Sequence, residues 1–381
     1  MAEYTGSSVT IYYVDGENGD DSSADATTTG GAWETIQKAF DEMVAGNIID
    51  GDEVRIMSTS DDETYYDLGG AQQTEGKLTC TWSSREVLIT GANSSGVVDG
   101  TIVTIFGDSL DGTTPMMEIS VGTVDSTQFA NLKFDANDTA QHCVESTLTG
   151  TSSHHMMFVN CRFTQATSHG VYTNNLSMYW NMINCRFDNN GGTGYEHQHS
   201  NYGAIHRCLF DNNAGDGSRH GTGAKITDCV FFNNGDDGCY INNSGAVICN
   251  CVFDNNTSDG LYISGSGQSV VMNCLFTNNT AYGLNVDNST ETKQYNCAFY
   301  NNGNDSYFVD EEDVNHLSMF NYLDDVTTTY GVTADFDFTH NGDSSVVGAG
   351  MPTHYEWFGS TASDIGLGKF RAEGGESISI F

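Results

Sequence analysis

Basic residues are scarce in this chain: 13 lysines and arginines stand against 51 aspartates and glutamates among 381 residues, a formal net charge of −38. A surface of that sign repels phosphate backbones and anionic headgroups, which argues against nucleic acid and membrane as partners. It also disfavours an acidic polysaccharide unless cations screen the surface. No apolar run is long enough to cross a bilayer, and the opening Met1-Ala2-Glu3-Tyr4 carries neither the charge nor the apolar segment of a secretory signal. From that opening we expect a chain made in the cytoplasm and not exported by the usual route. The 11 cysteines include no Cys-x-x-Cys pair, so the common zinc module is absent too.

What the chain does have is a repeat. Cys161, Cys185, Cys208, Cys229, Cys251, Cys274 and Cys297 are each followed two residues later by phenylalanine, and the steps between them are 24, 23, 21, 22, 23 and 23 residues. A constant period of this length marks a solenoid made by stacking one unit on the next. Length alone would suggest two domains, but one continuous repeat overrides that. Apolar residues at i and i+2, as in Cys-x-Phe and in Leu261-Tyr262-Ile263, share one face of a strand. An Asn pair follows most phenylalanines (Asn189-Asn190 through Asn301-Asn302), then a glycine (Gly194, Gly217, Gly238, Gly260, Gly283), residues that tolerate positive φ at corners. The expected fold is all-β: a single parallel β-helix of ten to twelve coils with inward columns of Cys, Phe and Asn. Small thiols pack well in such a core, so reduced cysteines are preferred to disulfides.

The unit Asn184-Cys185-Arg186-Phe187-Asp188-Asn189-Asn190 resembles the coil consensus of the right-handed parallel β-helix, or pectate-lyase-like, superfamily. Tyr12-Tyr13-Val14-Asp15-Gly16, Trp33 to Phe40 and Gly51-Asp52-Glu53-Val54 are similar to its opening cap. Ser344 to Gly350 and Asp364-Ile365-Gly366 are similar to its closing coils. The resemblance implies a cap over residues 1–55 with a helix near Ala32–Val44, coils over 56–302, and closing coils and tail over 303–381. It fixes no activity, since the fold hosts lyases, hydrolases, epimerases and viral spikes.

Aligning the coils on their glycines yields three rows of candidate site residues. The second residue after the glycine, expected to face outward, is Tyr172, Glu196, Arg219, Tyr240, Tyr262 and Asn285. Such a row offers sugar stacking and hydrogen bonds, although an exposed strand face favours aromatics anyway. The third residue is apolar in late coils but His197 and His220 earlier. With Arg219 beside them, and Glu196, His199, His206 and Lys225 near in sequence, they suggest a base and a cation for proton abstraction next to a carboxylate. Satisfied core histidines are the plainer reading. The residue before the glycine is Asp216, Asp237 and Asp259, with Asp236 adjacent. These carboxylates suggest Ca²⁺, the one cofactor considered, while Asp before Gly is also ordinary turn chemistry. Asp188, Asp211 and Asp254 form a second row open to the same two readings. Asp236-Asp237 is similar to the acid/base pairs of inverting hydrolases on this fold, but the Asn-x-Asp, Gly-His-Gly and Arg-x-Lys companions, and a lyase-type Lys–Arg set, are missing.

These observations lead to the expectation of a non-catalytic surface protein of a virus particle, a tailed-phage capsid decoration or short spike in contact with glycan. By resemblance to other β-helix spikes it is expected to be a homotrimer, held to other virion proteins by the cap or by Tyr355, Trp357, Phe358 and Phe370 of the tail. The alternatives are an extracellular polysaccharide lyase or hydrolase, and a glycan-binding adhesin.

Overall fold

The computed structural model describes residues 9–22, 25–59, 66–68, 76–82, 86–120, 126–147, 154–174, 177–198, 200–201, 203–242, 245–265, 267–287, 292–295, 297–308, 330–332 and 338–340. Three sheets of 12, 10 and 10 strands run the length of the described coils, and every pairing between coils is parallel. One coil shows the path. Ser218–His220 lies in the second sheet, Lys225–Thr227 in the first and Val230–Phe232 in the third, and Cys239–Ile241 then pairs with Ser218–His220. The expected solenoid is present.

The corners follow from the residues that can adopt positive φ. A single left-handed residue turns the chain from the first sheet to the third: Asn160, Asn184, Arg207, Asp228, Asn250 and Asn273. Another leaves the third sheet at Asn189, Asn212, Asn233, Asn255, Asn278 and Asn301. The second Asn of each pair points inward, and its amide nitrogen donates to the carbonyl oxygen of the next: Asn190 to Asn213 at 2.8 Å, Asn213 to Asn234 at 3.0 Å, Asn256 to Asn279 at 2.9 Å. Each also donates to a backbone carbonyl, as Asn234 does to Phe210 at 3.1 Å. This ladder satisfies buried backbone groups that no strand reaches. A second one, Asn184 to Asn160 to Asn131, runs along the bend before the cysteines. It was not foreseen, although the Asn of Asn-Cys-x-Phe was its signal.

The phenylalanines stack with centroids 4.7–5.5 Å apart from Phe134 to Phe299. Each buried ring contributes about 1.5–3 kcal/mol of transfer free energy. All 11 cysteines are free and buried, and burial pushes the Cys229 and Cys251 thiols well above their usual range.

The cap helix spans Ile36–Ala45, starting four residues later than expected. Thr35 Oγ1 accepts from Lys38 N–H at 3.1 Å, and Gly46 at φ 81° ends it. Its face of Ile36, Ala39, Phe40 and Met43 is buried, with Phe40 edge-on to Trp82 at 4.9 Å, which closes the core at this end. Ile11–Val14 and Glu53–Met57 are themselves strands of the first sheet, so the coils begin inside the segment read as cap. At the other end Asn304–Phe308 extends the second sheet. The tail motifs from Ser344 onward, with Tyr355, Trp357, Phe358 and Phe370, lie outside the described residues.

Candidate functional site

The outward face of the second sheet carries one continuous row: Glu118, Glu145, Tyr172, Glu196, Arg219, Tyr240, Tyr262 and Asn285 occupy the same position in successive coils. Beside it runs a second column: His142, His169, Thr193, Asp216, Asp237 and Asp259, each two residues before its strand, and Tyr282, which opens the strand Tyr282–Val286. Together they form a strip along the rod.

One hydrogen-bonding rule builds the second column. Each acidic or imidazole member accepts the backbone N–H of the same position in the next coil. His142 Nδ1 takes His169 N–H at 3.2 Å, and His169 Nδ1 takes Thr193 N–H at 3.0 Å. Asp216 Oδ1 takes Asp237 N–H at 3.1 Å, Asp237 Oδ1 takes Asp259 N–H at 2.9 Å, and Asp259 Oδ1 takes Tyr282 N–H at 2.8 Å. Since Nδ1 is an acceptor, neutral His169 carries its proton on Nε2, which lies 3.4 Å from Glu196 Oε2. Gln198 Nε2 donates to the other Glu196 oxygen at 2.9 Å.

Electrostatics divide the strip. Burial, then the neighbouring His169, lowers His142 to about 4. Burial also lowers His169, against the pull of Glu196. Both rings are therefore neutral at pH 7. Further along, burial raises Asp216 to about 7, helped by Asp237 and Asp236, and burial raises Asp237 to about 6. Burial raises Asp259 as well.

The aromatic faces are largely taken by neighbours. His142, His169 and Tyr172 stack on one another with centroids 5.0–5.4 Å apart. The Arg219 guanidinium sits 4.4 Å over the Tyr240 ring, and Tyr240 lies 5.1 Å from Tyr262. Tyr240 Oη reaches Asn242 Oδ1 at 3.2 Å and Ser264 Oγ at 3.1 Å, and Tyr262 Oη reaches Asp287 Oδ2 at 3.3 Å. The strip offers ring edges and polar atoms to a ligand more than open ring faces, which corrects the expectation of sugar stacking on a free tyrosine row. Glu196 faces outward as expected, yet only 8% of it is exposed.

The histidine cluster read from the sequence is not assembled. His197 and His220 point inward and are wholly buried, and burial with the adjacent His197 lowers His220 to about 3. Arg219 projects from the opposite face of the same strand, because alternate residues of a strand point opposite ways. A base at His220 and a cation at Arg219 therefore cannot share a substrate. His206 and Lys225 lie on the first sheet, with His206 Nδ1 2.9 Å from Thr227 Oγ1. His199 lies outside the described residues. What the sequence reading missed is His142 and His169, although His169 precedes Gly170 just as Asp216 precedes Gly217.

The carboxylate group that comes together is Asp216, Asp236 and Asp237, with one ligand atom from each within 4.8 Å of the others. Asp259 is not part of it: Tyr282 N–H and Asn285 Nδ2 take its two oxygens, the latter at 2.7 Å. Asp216 and Asp237 each have one oxygen engaged by backbone, so Ca²⁺ there would rest on few protein oxygens and complete its usual six to eight with water. The other aspartate row is structural. Arg162 clasps Asp188 at 2.8 and 2.7 Å, Arg186 clasps Asp211 at 3.0 and 2.9 Å, and Thr277 Oγ1 donates to Asp254 at 2.7 Å.

Residues 216–333 match the family described as right handed beta helix region. The fold is that of a right-handed β-helix. Pectate lyase Pel9A superposes with a TM-score of 0.59 at 15% identity, covering 95% of this chain and 96% of that one. The ORF18 protein of Geobacillus virus E2 superposes at 0.54 and 17% identity, over 78% of this β-helix and 61% of that chain. The A-module of the Azotobacter vinelandii mannuronan C-5 epimerase AlgE4 gives 0.51 and 14% identity, over 76% of each. At these identities the likeness is one of fold, shared by a phage protein and by polysaccharide enzymes. No curated protein matches the sequence.

Proposed function

We propose that this β-helix is a non-catalytic surface protein of a virus particle, a capsid decoration or short spike of a tailed phage, whose outward strip contacts glycan. The observation that carries this reading is how far the strip is engaged with itself. Its histidines hold backbone N–H groups, its rings stack on each other and its aspartates link one coil to the next. Groups so engaged make a stiff, hydrogen-bonding surface. The net charge of −38 keeps such a rod soluble and away from nucleic acid, and the fold likeness to a protein of Geobacillus virus E2 supports the particle setting. Assembly as a homotrimer on other virion proteins, through the cap or the tail, belongs to the same reading.

The test pairs glycan-array binding with assays for reducing ends and unsaturated products on neutral and acidic polysaccharides, and adds mass spectrometry of purified particles of a phage that carries the gene. Retention of a glycan without product, together with the chain in the particle, is expected. Turnover that disappears in His169→Ala would overturn it. Sedimentation of the purified chain as a monomer would remove the trimer.

A second reading, a polysaccharide lyase or hydrolase, is favoured by one observation. His169 is neutral with a fixed tautomer against Glu196, two coils from the Asp216 carboxyl held at about 7, and groups poised near neutral pH suit proton transfer.

A further inference from the structure

Four buried side-chain atoms with no hydrogen-bond partner among the described residues fall within three consecutive coils: Thr173 Oγ1, Trp180 Nε1, and both ring nitrogens of His220. Thr173, His197 and His220 occupy one inward position of the second sheet in successive coils. Trp180 is the inward residue of the first sheet in the coil of Thr173, across the corner that joins the two sheets. In the coils that follow, the first sheet has Gly203 and Ala224 near that corner, so little side-chain volume stands opposite the histidines. Beyond them the second sheet returns to Ile241 and Ile263, with Ala246 and Ser269 opposite, and the buried Ser269 hydroxyl is satisfied by Ala246 N–H at 3.3 Å.

Buried polar side chains nearly always have a partner, and ordered water supplies it where protein does not. Thr173 can donate and accept, the Trp180 indole can only donate, and a neutral His220 ring has one donor and one acceptor. Water answers both needs. A metal ion would leave the indole N–H without an acceptor, and a lone apolar guest would leave all four atoms unpaired.

We propose that the core corner bounded by Thr173, Trp180 and His220 is a hydrated site holding an ordered water cluster of at least two molecules. One water bridges two to four polar partners, and the two ring nitrogens of His220 face different ways, so one molecule cannot serve every atom. The site explains why histidine is tolerated at a position that isoleucine fills in the later coils. It is distinct from the outward strip, since His220 and Arg219 lie on opposite faces of one strand.

The test is an atomic-resolution crystal structure of the full chain, with the double variant Thr173→Val/His220→Ile alongside. The expected result is two or more waters within hydrogen-bond distance of Thr173 Oγ1, Trp180 Nε1 and His220 in the wild type. The double variant should lose the waters bound to residues 173 and 220 with a melting temperature equal to or above that of the wild type. A dry corner, a bound metal ion, or His220 hydrogen-bonded directly to protein would each overturn the proposal. If the variant fails to fold, the wild-type density alone decides between these outcomes.

Discussion

The protein stacks two pairs of histidines, and they differ in almost every respect except their spacing. His142 and His169 stand just before strands of the second sheet, use Nδ1 to hold the next coil's backbone, and look onto the strip. His197 and His220 stand at the far end of strands of the same sheet, point into the core and are wholly buried. A few residues of register separate a pair on the outward strip, where His169 is partly exposed and His142 lies buried beneath the stack, from a pair sealed in the core. His142, His169 and His220 are all lowered by burial, as is His206 on the first sheet, so an altered pKa does not by itself identify the functional pair. Position in the coil does.

The largest effect that would break this contrast is expected at Gly203, opposite the inner pair. A Cβ there would overlap the Trp180 backbone. Gly203→Ala is expected to cost about 4 kcal/mol or more, read as a lower denaturation midpoint. A variant as stable as the wild type would show that the corner has slack.

Next comes Asp216 in the strip. A carboxyl raised to about 7 contributes its stability below the ordinary carboxylate range and loses it as pH rises through 7. Asp216→Asn keeps an acceptor for Asp237 N–H and is expected to gain up to about 4 kcal/mol over the wild type at pH 8, with the gain gone near pH 4. Urea titrations at both values measure it, and an unchanged gap between them would contradict the raised pKa. Bound Ca²⁺ would shrink the gain at pH 8, and chelation would restore it.

His220 has the opposite sign. A histidine lowered to about 3 contributes its stability above pH 6.5 and loses it as pH falls towards 3. His220→Ile is therefore expected to become more stable than the wild type on acidification, by about 3 kcal/mol between pH 7 and pH 4. The smallest effect belongs to the outer pair. His169→Gln loses the ring stack and the acceptor for Thr193, at about 1 kcal/mol, and should weaken glycan retention. If instead it costs as much as a core substitution, the outer ring is structural after all.

How much of this was readable beforehand follows from the kinds of residue involved. The Cys, Phe and Asn columns were legible because stacking repeats the residue type itself at a constant period. The outward row from Tyr172 to Asn285 was legible too, since its register follows from the glycines. The inward place of His197 and His220 was legible as well, from the isoleucines at that position in later coils; what sequence neighbourhood concealed was that Arg219, on the outward face, cannot work with them. His220 and Arg219 are adjacent in sequence and lie on opposite faces. His142 and Asp216 are unlike residues that do the same backbone-holding work, so type-matching did not connect them. Asp259 has both oxygens taken by the next coil, one by Tyr282 N–H and the other by Asn285 Nδ2, which no match of residue type foretells.

The central claim is that the strip's groups are engaged in holding the rod together and present a surface to glycan without acting on it. It is tested most directly by mass spectrometry of each glycan retained on the array after prolonged incubation with the chain at neutral pH. The account predicts intact glycan. Shortened, unsaturated or epimerised product made by the wild type and not by His169→Ala would contradict it.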